Sequence, residues 1–185
     1  KVKYQIKEKD GAFYGPKIDI NVTDSQNREW TVATIQLDFQ MPEKFELEYV
    51  AEDGSKKRPV MIHRAIAGTF ERFIGIITEH FQGAFPLWLA PVQAVLIPVS
   101  EKQNVKKIYE KLKENGIRAE IYESGETLPK RIREAEIQKI PYILVVGEKE
   151  EKNKSVNVRH KGKEEEIKVD ELIKKMKSEI KNKPI

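Results

Sequence analysis

The spacing of apolar residues along the sequence changes near Gln93, and this change constrains the fold more than any other feature of the chain. Before that point apolar and polar side chains alternate, as at Ile18, Ile20 and Val22, which is typical of half-buried strands. After it, short apolar runs alternate with helical stripes, which indicates a compact α/β domain. The 185 residues are therefore expected to build two architectures in succession.

The first architecture is predicted to be a partial antiparallel sheet followed by a helix. Strands are expected at residues 17–22, 30–39, 45–50 and 59–62, with turns at 24–27 and 52–55. Five apolar side chains then recur at helical spacing and predict a helix that ends before Gly83 and Pro86. They are Phe70, Phe73, Ile74, Ile77 and Phe81.

The second architecture is predicted to alternate strands and helices around a mixed sheet. Strands are expected at 94–99, 117–122, 142–146 and 156–159, and helices at 105–112 and 128–137. Residues 147–155 are expected to form a charged loop, and Asp170 is expected to cap a last helix. Two prolines in residues 85–91 mark the junction, so we predict domains at 1–88 and 89–185. The fold class expected is α+β or α/β.

The composition of the chain excludes several kinds of function. The chain has no cysteine, which excludes disulfides, thiol catalysis and cysteine-ligated zinc supplied by these residues. Its longest apolar stretch, residues 84–99, contains three prolines and is too short to cross a bilayer. The first ten residues lack the apolar core of a signal peptide. We therefore expect no membrane association and a cytoplasmic location.

A glycine-rich turn, GAFYGPK at residues 11–17, precedes the first predicted strand. Two glycines and a proline would hold the turn so that Tyr14 and Lys17 project ahead of the strand. A phenol and an ammonium group together suit a carboxylate or phosphate ligand. Taken alone, the segment is more typical of an ordinary hairpin turn.

A strand end meets a helix start at residues 61–73 through the small residues Ala67 and Gly68, which would let a ligand approach the backbone. Arg72 lies early in the helix, where a guanidinium can bind a phosphate, bind a carboxylate or stack on a purine. The alternative is a salt bridge to a neighbouring glutamate. His63, at the strand end, could ligate a metal.

The excess of positive charge lies in the second architecture. Residues 92–185 contain 22 Lys and Arg against 17 Asp and Glu, whereas residues 1–91 contain 12 against 13. Such a surface can attract a polyanion, or it can be a solvated face. Six side chains there could read exposed RNA bases by hydrogen bonds and stacking. They are Lys130, Arg131, Arg133, Lys139, Glu150 and Arg159.

Four segments occur together in one order: GAFYGPK (11–17), TIQLDF (34–39), HRAIAGTFERF (63–73) and GAFPLWLAPVQ (83–93). In this combination the chain closely resembles the threonyl-tRNA synthetases, which are class II aminoacyl-tRNA synthetases. The resemblance covers nearly the whole chain. Residues 68–72 match class II motif 3, and residues 85–93 match the junction with the anticodon-binding domain.

The resemblance implies ATP-dependent activation of threonine and its transfer to tRNA(Thr). It gives Arg72 and Lys17 catalytic roles, and it places Tyr14, Gln36 and Thr69 in the substrate pocket. Arg72 and Thr31 would contact ATP with its Mg²⁺. His63 would be one of three ligands of a zinc ion that binds threonine. Four residues would contact the anticodon: Arg133, Lys139, Glu150 and Arg159.

The resemblance also implies that motifs 1 and 2, two zinc ligands and the interface of a homodimer lie outside these residues. The chain is thus expected to be the C-terminal part of such a synthetase and to be inactive in aminoacylation by itself, because one ligand of three cannot hold zinc. The alternative is a non-catalytic RNA-binding or regulatory paralogue of a class II synthetase.

Overall fold

The computed structural model describes residues 3–100 and 105–183. The chain divides into two compact units, Lys1–His80 and Phe81–Ile185. No helix among the described residues is both long and apolar enough to cross a membrane.

The first half of the chain is organised by a three-stranded antiparallel sheet in the order β1-β2-β5. A two-stranded ribbon, β3-β4, lies outside it. The elements are β1 (Lys17–Thr23), β2 (Glu29–Asp38), α1 (Gln40–Lys44), β3 (Tyr49–Val50), β4 (Lys56–Lys57), β5 (Met61–Ala65) and α2 (Phe70–Phe81).

The pairing of β1 with β2 contains a bulge. Ile20 pairs with Ala33 and Asn21 pairs with Thr31, so Val32 is an extra residue on β2. Because side chains alternate along a strand, the bulge brings Thr31 to the face that also carries Thr34.

The opposite face of this sheet is apolar and exposed. Ile18, Ile20 and Ile62 expose 65%, 52% and 64% of their surface. The outer face of α2 is similar, since Phe70 and Ile74 expose 84% and 54%. The helix predicted from apolar spacing is confirmed in its bounds, but none of its residues is buried.

The second half of the chain is a five-stranded mixed sheet in the order β10-β9-β8-β6-β7. β6 is parallel to β7 and β8, whereas β8-β9 and β9-β10 are antiparallel. The elements are β6 (Ala94–Pro98), α3 (Lys106–Glu114), β7 (Ala119–Ile121), α4 (Leu128–Ile137), β8 (Tyr142–Val146), α5 (Glu148–Asn153), β9 (Ser155–His160), β10 (Lys163–Lys168) and α6 (Val169–Asn182).

Helices cover both faces of this sheet, and the described apolar core of the chain lies here. One cluster, which includes Leu96, Leu144 and Leu172, packs on one face; the other, which includes Val95, Ile143 and Ala135, packs on the α4 side. The predicted fold class, a partial antiparallel sheet followed by an α/β domain with a mixed sheet, is confirmed.

Three predictions of local structure are wrong, and one strand was not predicted. The strand expected at 45–50 is reduced to Tyr49–Val50, because residues 45–47 form the turn that ends α1. Residues 147–155 contain the helix α5 rather than a loop, and the strand β10 follows unpredicted. Asp170 does not cap α6; Lys168 is the N-cap, and Asp170 lies in the first turn beside Lys111.

Candidate functional site

Polar side chains line one face of the β1-β2-β5 sheet. In register, Lys17 lies opposite Gln36, and Gln36 lies opposite His63. Thr34 and Asp38 share this face because they are two residues before and after Gln36 on β2. Three strands thus supply one polar surface, whereas the other face carries the exposed isoleucines.

The glycine-rich turn brings Tyr14 to the same surface. Backbone hydrogen bonds from Leu37 N–H to Pro16 O and from Phe39 N–H to Tyr14 O extend the turn along β2. Gly15 is required there, because a Cβ atom would lie 2.2 Å from Leu37 O. The Tyr14 hydroxyl donates a hydrogen bond to Gln36 Oε1. The Gln36 Nε2 group donates to Thr34 Oγ1 at 3.2 Å.

His63 is held between Tyr14 and Asp38. Its Nε2 atom is 2.8 Å from Asp38 Oδ2, and its ring meets the Tyr14 ring edge-on with centroids 5.7 Å apart. Asp38 is only 1% exposed. Its role was not predicted from the sequence, although its position in the alternating polar face of β2, two residues after Gln36, was the available signal.

Lys17 completes this surface through an ion pair with Asp19, whose atoms Nζ and Oδ2 are 2.8 Å apart. Hydrogen bonds from Lys17 and Thr34 lower the pKa of Asp19, and the bond to Asp19 raises the pKa of Lys17. The ammonium is therefore fixed in its charged form beside the Tyr14–Gln36 pair.

The turn between β5 and α2 positions the remaining predicted residues of the first unit. Ala67 and Gly68 both have positive φ angles, 64° and 67°. Gly68 lies close to β2, since a Cβ atom there would be 3.6 Å from Thr31 O. The Thr69 hydroxyl accepts the backbone N–H of Arg72 at 3.3 Å, which stabilises the start of α2.

Arg72 is exposed, and its guanidinium lies 5.9 Å from the centre of the Trp30 ring. The same ring is 5.5 Å from the guanidinium of Arg28. Thr31, the next residue of β2, donates a hydrogen bond to Asn21 at 2.9 Å. Thr69, Arg72 and Thr31 thus gather at the bulge of β2.

The structure therefore forms two groups from the predicted residues of this unit. Tyr14, Gln36 and His63 are joined by contacts, with Lys17 in register beside them. Within the described residues, no hydrogen bond, ion pair or ring contact joins Arg72 to that group.

The donor set of the first unit does not fit a complete zinc site. Zinc in proteins takes at least three protein ligands, and no cluster of three His, Cys, Asp or Glu side chains occurs among the residues that the structure describes. His63 and Asp38 supply one imidazole and one carboxylate, and that carboxylate is already hydrogen-bonded to the imidazole.

A groove in the second unit collects part of the predicted RNA-binding set. It has a volume of about 890 Å³, and its lining includes Lys139 and Arg159 together with Phe85 and His160. Lys139 follows α4 with a φ angle of 58°. An aromatic wall beside cationic side chains is suited to holding an unstacked base.

Arg159 is half-buried and held by carboxylates. Its Nη2 atom is 2.6 Å from Glu164 Oε1, and its Nη1 atom is 3.8 Å from Glu136 Oε1. The other two predicted residues are outside the groove lining. Glu150 accepts the backbone N–H of Gly147 at 2.9 Å at the start of α5, and Arg133 is exposed on α4.

Comparison with protein families divides the chain at a similar place. Residues 1–81 match the family described as tRNA synthetase class II core domain (G, H, P, S and T). Residues 93–179 match the family described as anticodon binding domain. The two matches follow each other in the order of the two structural units.

Curated relatives match nearly the whole chain. It is 53% identical over 186 residues to a threonine–tRNA ligase of Caldanaerobacter subterraneus subsp. tengcongensis, covering 98% of this chain and 29% of the relative. It is 55% identical over 161 residues to that of Carboxydothermus hydrogenoformans, covering 86% of this chain and 25% of the relative. The chain thus spans less than a third of the length of these relatives.

Solved structures agree with these matches. The RNA binding domain of threonyl-tRNA synthetase from Cryptosporidium parvum Iowa II superposes with a TM-score of 0.82 at 41% identity, covering 91% of this chain and 44% of that one. Prolyl-tRNA synthetase from Cryptosporidium parvum shares the fold, with a TM-score of 0.69 at 24% identity, covering 95% of this chain and 41% of that one. The chain belongs to the threonyl-tRNA synthetase family of class II aminoacyl-tRNA synthetases.

Proposed function

We propose that this chain serves the ATP-dependent attachment of threonine to tRNA(Thr), in the cytoplasm and within a homodimeric enzyme. Each of the two units has its own role, and we place the domain boundary near residue 88. The first supplies the motif 3 part of the catalytic site, and the second recognises the anticodon. The observation that carries the proposal is the joining of Tyr14, Gln36 and His63 on one sheet face.

In the first unit we assign the polar face of the sheet to threonine. Tyr14, Gln36 and Thr69 would bind the amino acid, and Lys17 would stabilise negative charge during its activation. Arg72 and Thr31 would contact ATP with its Mg²⁺, because an exposed guanidinium can stack on a purine and neutralise phosphate. His63 would contribute one nitrogen ligand to a zinc ion, and the other protein ligands would come from outside these residues.

In the second unit we assign Arg159, Lys139, Glu150 and Arg133 to the anticodon. The guanidinium of Arg159 offers a planar set of donors, and the carboxylate of Glu150 is an acceptor. Together they can distinguish the edges of unstacked bases. Lys139 and Arg133 would add attraction to phosphate, so binding is expected to weaken as salt rises.

Arg159→Ala tests the anticodon assignment. We expect the variant to bind tRNA(Thr) about 10- to 100-fold more weakly, whereas its affinity for a transcript with a changed anticodon should hardly fall. The measurement is fluorescence anisotropy of labelled transcripts at several salt concentrations. Lys175→Ala is the control, since Lys175 pairs with Glu165 and does not line the groove.

Equal losses on both transcripts would instead make Arg159 a phosphate contact. A non-catalytic RNA-binding paralogue predicts the same tRNA result, so a second titration is needed. A non-hydrolysable threonyl-adenylate analogue should bind the chain and should bind more weakly to Arg72→Ala. Retained tRNA binding without any binding of this analogue would favour the paralogue.

A further inference from the structure

Asp38 is a buried carboxylate whose two oxygens have different partners. Oδ1 accepts the backbone N–H groups of Gln40 and Met41, each at 2.9 Å. Oδ2 is 2.8 Å from His63 Nε2. With 1% of its surface exposed, Asp38 has little room to rotate and exchange these partners.

The hydrogen-bond geometry of Asp38 decides which nitrogen of His63 carries the proton. Two backbone N–H donors on Oδ1 and a ring nitrogen on Oδ2 are the partners of an ionised carboxylate, which is the ordinary state of an aspartate. An ionised carboxylate can only accept hydrogen bonds. The contact at 2.8 Å therefore requires a proton on Nε2, and a neutral imidazole then has its lone pair on Nδ1.

That lone pair is available to a ligand. Within the described part of the chain Nδ1 makes no hydrogen bond, and the His63 side chain is 42% exposed. The ring lies against Tyr14, and its strand is in register with Gln36. Both neighbours belong to the polar face assigned above to threonine.

We propose that Asp38 is a positioning residue that holds His63 in the Nε2–H tautomer, so that Nδ1 is the nitrogen offered to a ligand. What Nδ1 meets rests on the proposed function, whereas the tautomer itself does not. A carboxylate that orients a histidine through its distal nitrogen is a recurrent arrangement in catalytic and ligand sites.

Asp38→Asn should reverse the tautomer. The two backbone N–H groups still need an acceptor, so the amide oxygen of Asn should stay at the Oδ1 position. Its NH₂ group then faces His63 Nε2 and can only donate to it. The ring proton is consequently expected to move to Nδ1, which removes the lone pair from the ligand side.

Nitrogen-15 NMR of the histidine rings in the full chain, at a pH where the imidazoles are neutral, tests this directly. We expect the His63 signals to show Nε2–H in the unmodified protein and Nδ1–H in Asp38→Asn. Asp53→Asn, at an exposed turn, should leave the His63 signals unchanged. A His63→Gln variant assigns the signals.

A mixture of tautomers, or Nδ1–H, in the unmodified protein would overturn the proposal even if Asp38→Asn fails to fold. So would unchanged His63 signals in a folded Asp38→Asn. Failure of the proposed function is a separate outcome, since loss of adenylate-analogue or tRNA binding does not alter the expected NMR signals.

A binding measurement distinguishes a positioning role of Asp38 from a merely structural one. Asp38→Asn should weaken binding of the threonyl-adenylate analogue about tenfold, and it should have no further effect in a His63→Ala background. The same tenfold loss in both backgrounds would mean that Asp38 acts independently of His63, which would contradict the proposal.

Discussion

At the residue scale, Gln93 shows how a buried side chain can join three segments. It is 1% exposed; its Nε2 group donates to Leu87 O at 2.8 Å, and its Oε1 atom accepts the N–H of Arg118 at 2.9 Å. The side chain of Arg118 in turn donates to the carbonyl of Ala90. The segment before β6 is thereby fixed to the start of β7.

Gln93→Leu should therefore destabilise the second unit. The substitution retains volume but removes the side-chain partners of the buried Leu87 carbonyl and of the partly buried Arg118 N–H, at a cost of about 2–4 kcal/mol. Urea unfolding followed by Trp88 fluorescence measures the change. Lys107→Leu, which places the same side chain on the exposed face of α3, should change the free energy of unfolding little; similar losses in both variants would contradict the explanation.

Individual residues were predicted unevenly from the sequence. Tyr14 and His63 were singled out from the sequence itself and Gln36 through the resemblance, and contacts now join them. Alternation along β2 indicated that Asp38 lies on the polar face, but it could not show that the carboxylate is buried, because its partners come from α1 and β5. The exposed carboxylates of Glu136 and Glu164, which hold Arg159, were missed because they belong to α4 and β10, which only the fold brings to β9.

At the element scale, one carboxylate on the edge strand β10 contacts two side chains of α5. Glu166 on β10 accepts hydrogen bonds from Lys149 at 2.7 Å, from the Ser155 hydroxyl at 2.8 Å and from Asn153 at 3.4 Å. α5 also carries Glu150, which we assign to the anticodon. The network thus links the edge strand to a proposed RNA contact.

Acid should weaken this attachment. Hydrogen bonds from Lys149, Ser155 and Asn153 lower the pKa of Glu166 from 4.5 to about 2. A lowered pKa in the folded state stabilises the fold above the ordinary value, and this stabilisation is lost as the pH falls towards the folded value. The free energy of unfolding should therefore decrease between about pH 4.5 and 2.

Glu166→Gln should remove that part of the pH dependence. Urea titrations across this pH range measure it, with Glu148→Gln on the exposed side of α5 as the matched control. An acid-induced loss of stability as large in Glu166→Gln as in the unmodified protein would exclude Glu166 as its source.

The elements that were mispredicted share a physical cause. β10 has the sequence KEEEIK and buries only Ile167, because an edge strand faces water along most of its length. α5 buries none of its residues, so no apolar period could indicate it. α4 and β8, which have apolar faces against the core, agree with their predicted bounds.

At the scale of the whole molecule, the two units differ in how much they bury. The core clusters lie between Leu87 and Met176. In the described part of the first unit the large apolar side chains are half-buried or exposed, and the buried residues are Asp38 and Pro42. Since burial of apolar surface is the main stabilising contribution to folding, the second unit should be the more stable.

The two tryptophans provide one reporter for each unit. In urea, Trp88→Phe should show the transition of Trp30 in the first unit, and Trp30→Phe should show that of Trp88 in the second. We expect the Trp30 transition at lower urea, with circular dichroism spanning both. Coincident midpoints in all three measurements would mean that the chain unfolds as one cooperative unit.

The change in the spacing of apolar residues near Gln93 was sufficient to predict two successive architectures, because apolar residues recur at a different spacing in each. It could not predict that the isoleucines of the first sheet are exposed, since an alternating pattern indicates that a face is apolar and not what covers it.

The extra residue at Val32 shifts the alternation of side chains along β2 by one residue. Even-numbered residues lie on the polar face after Val32, and odd-numbered residues lie on it before Val32. Adding or removing a single amino acid between Ala33 and Trp30 would move the Thr31 hydroxyl to the opposite face of the sheet, which carries the exposed isoleucines. Evolution can therefore exchange side chains along this stretch, but it should not change its length. An alignment of relatives should show gaps in the turn at residues 24–27 and none from 30 to 34.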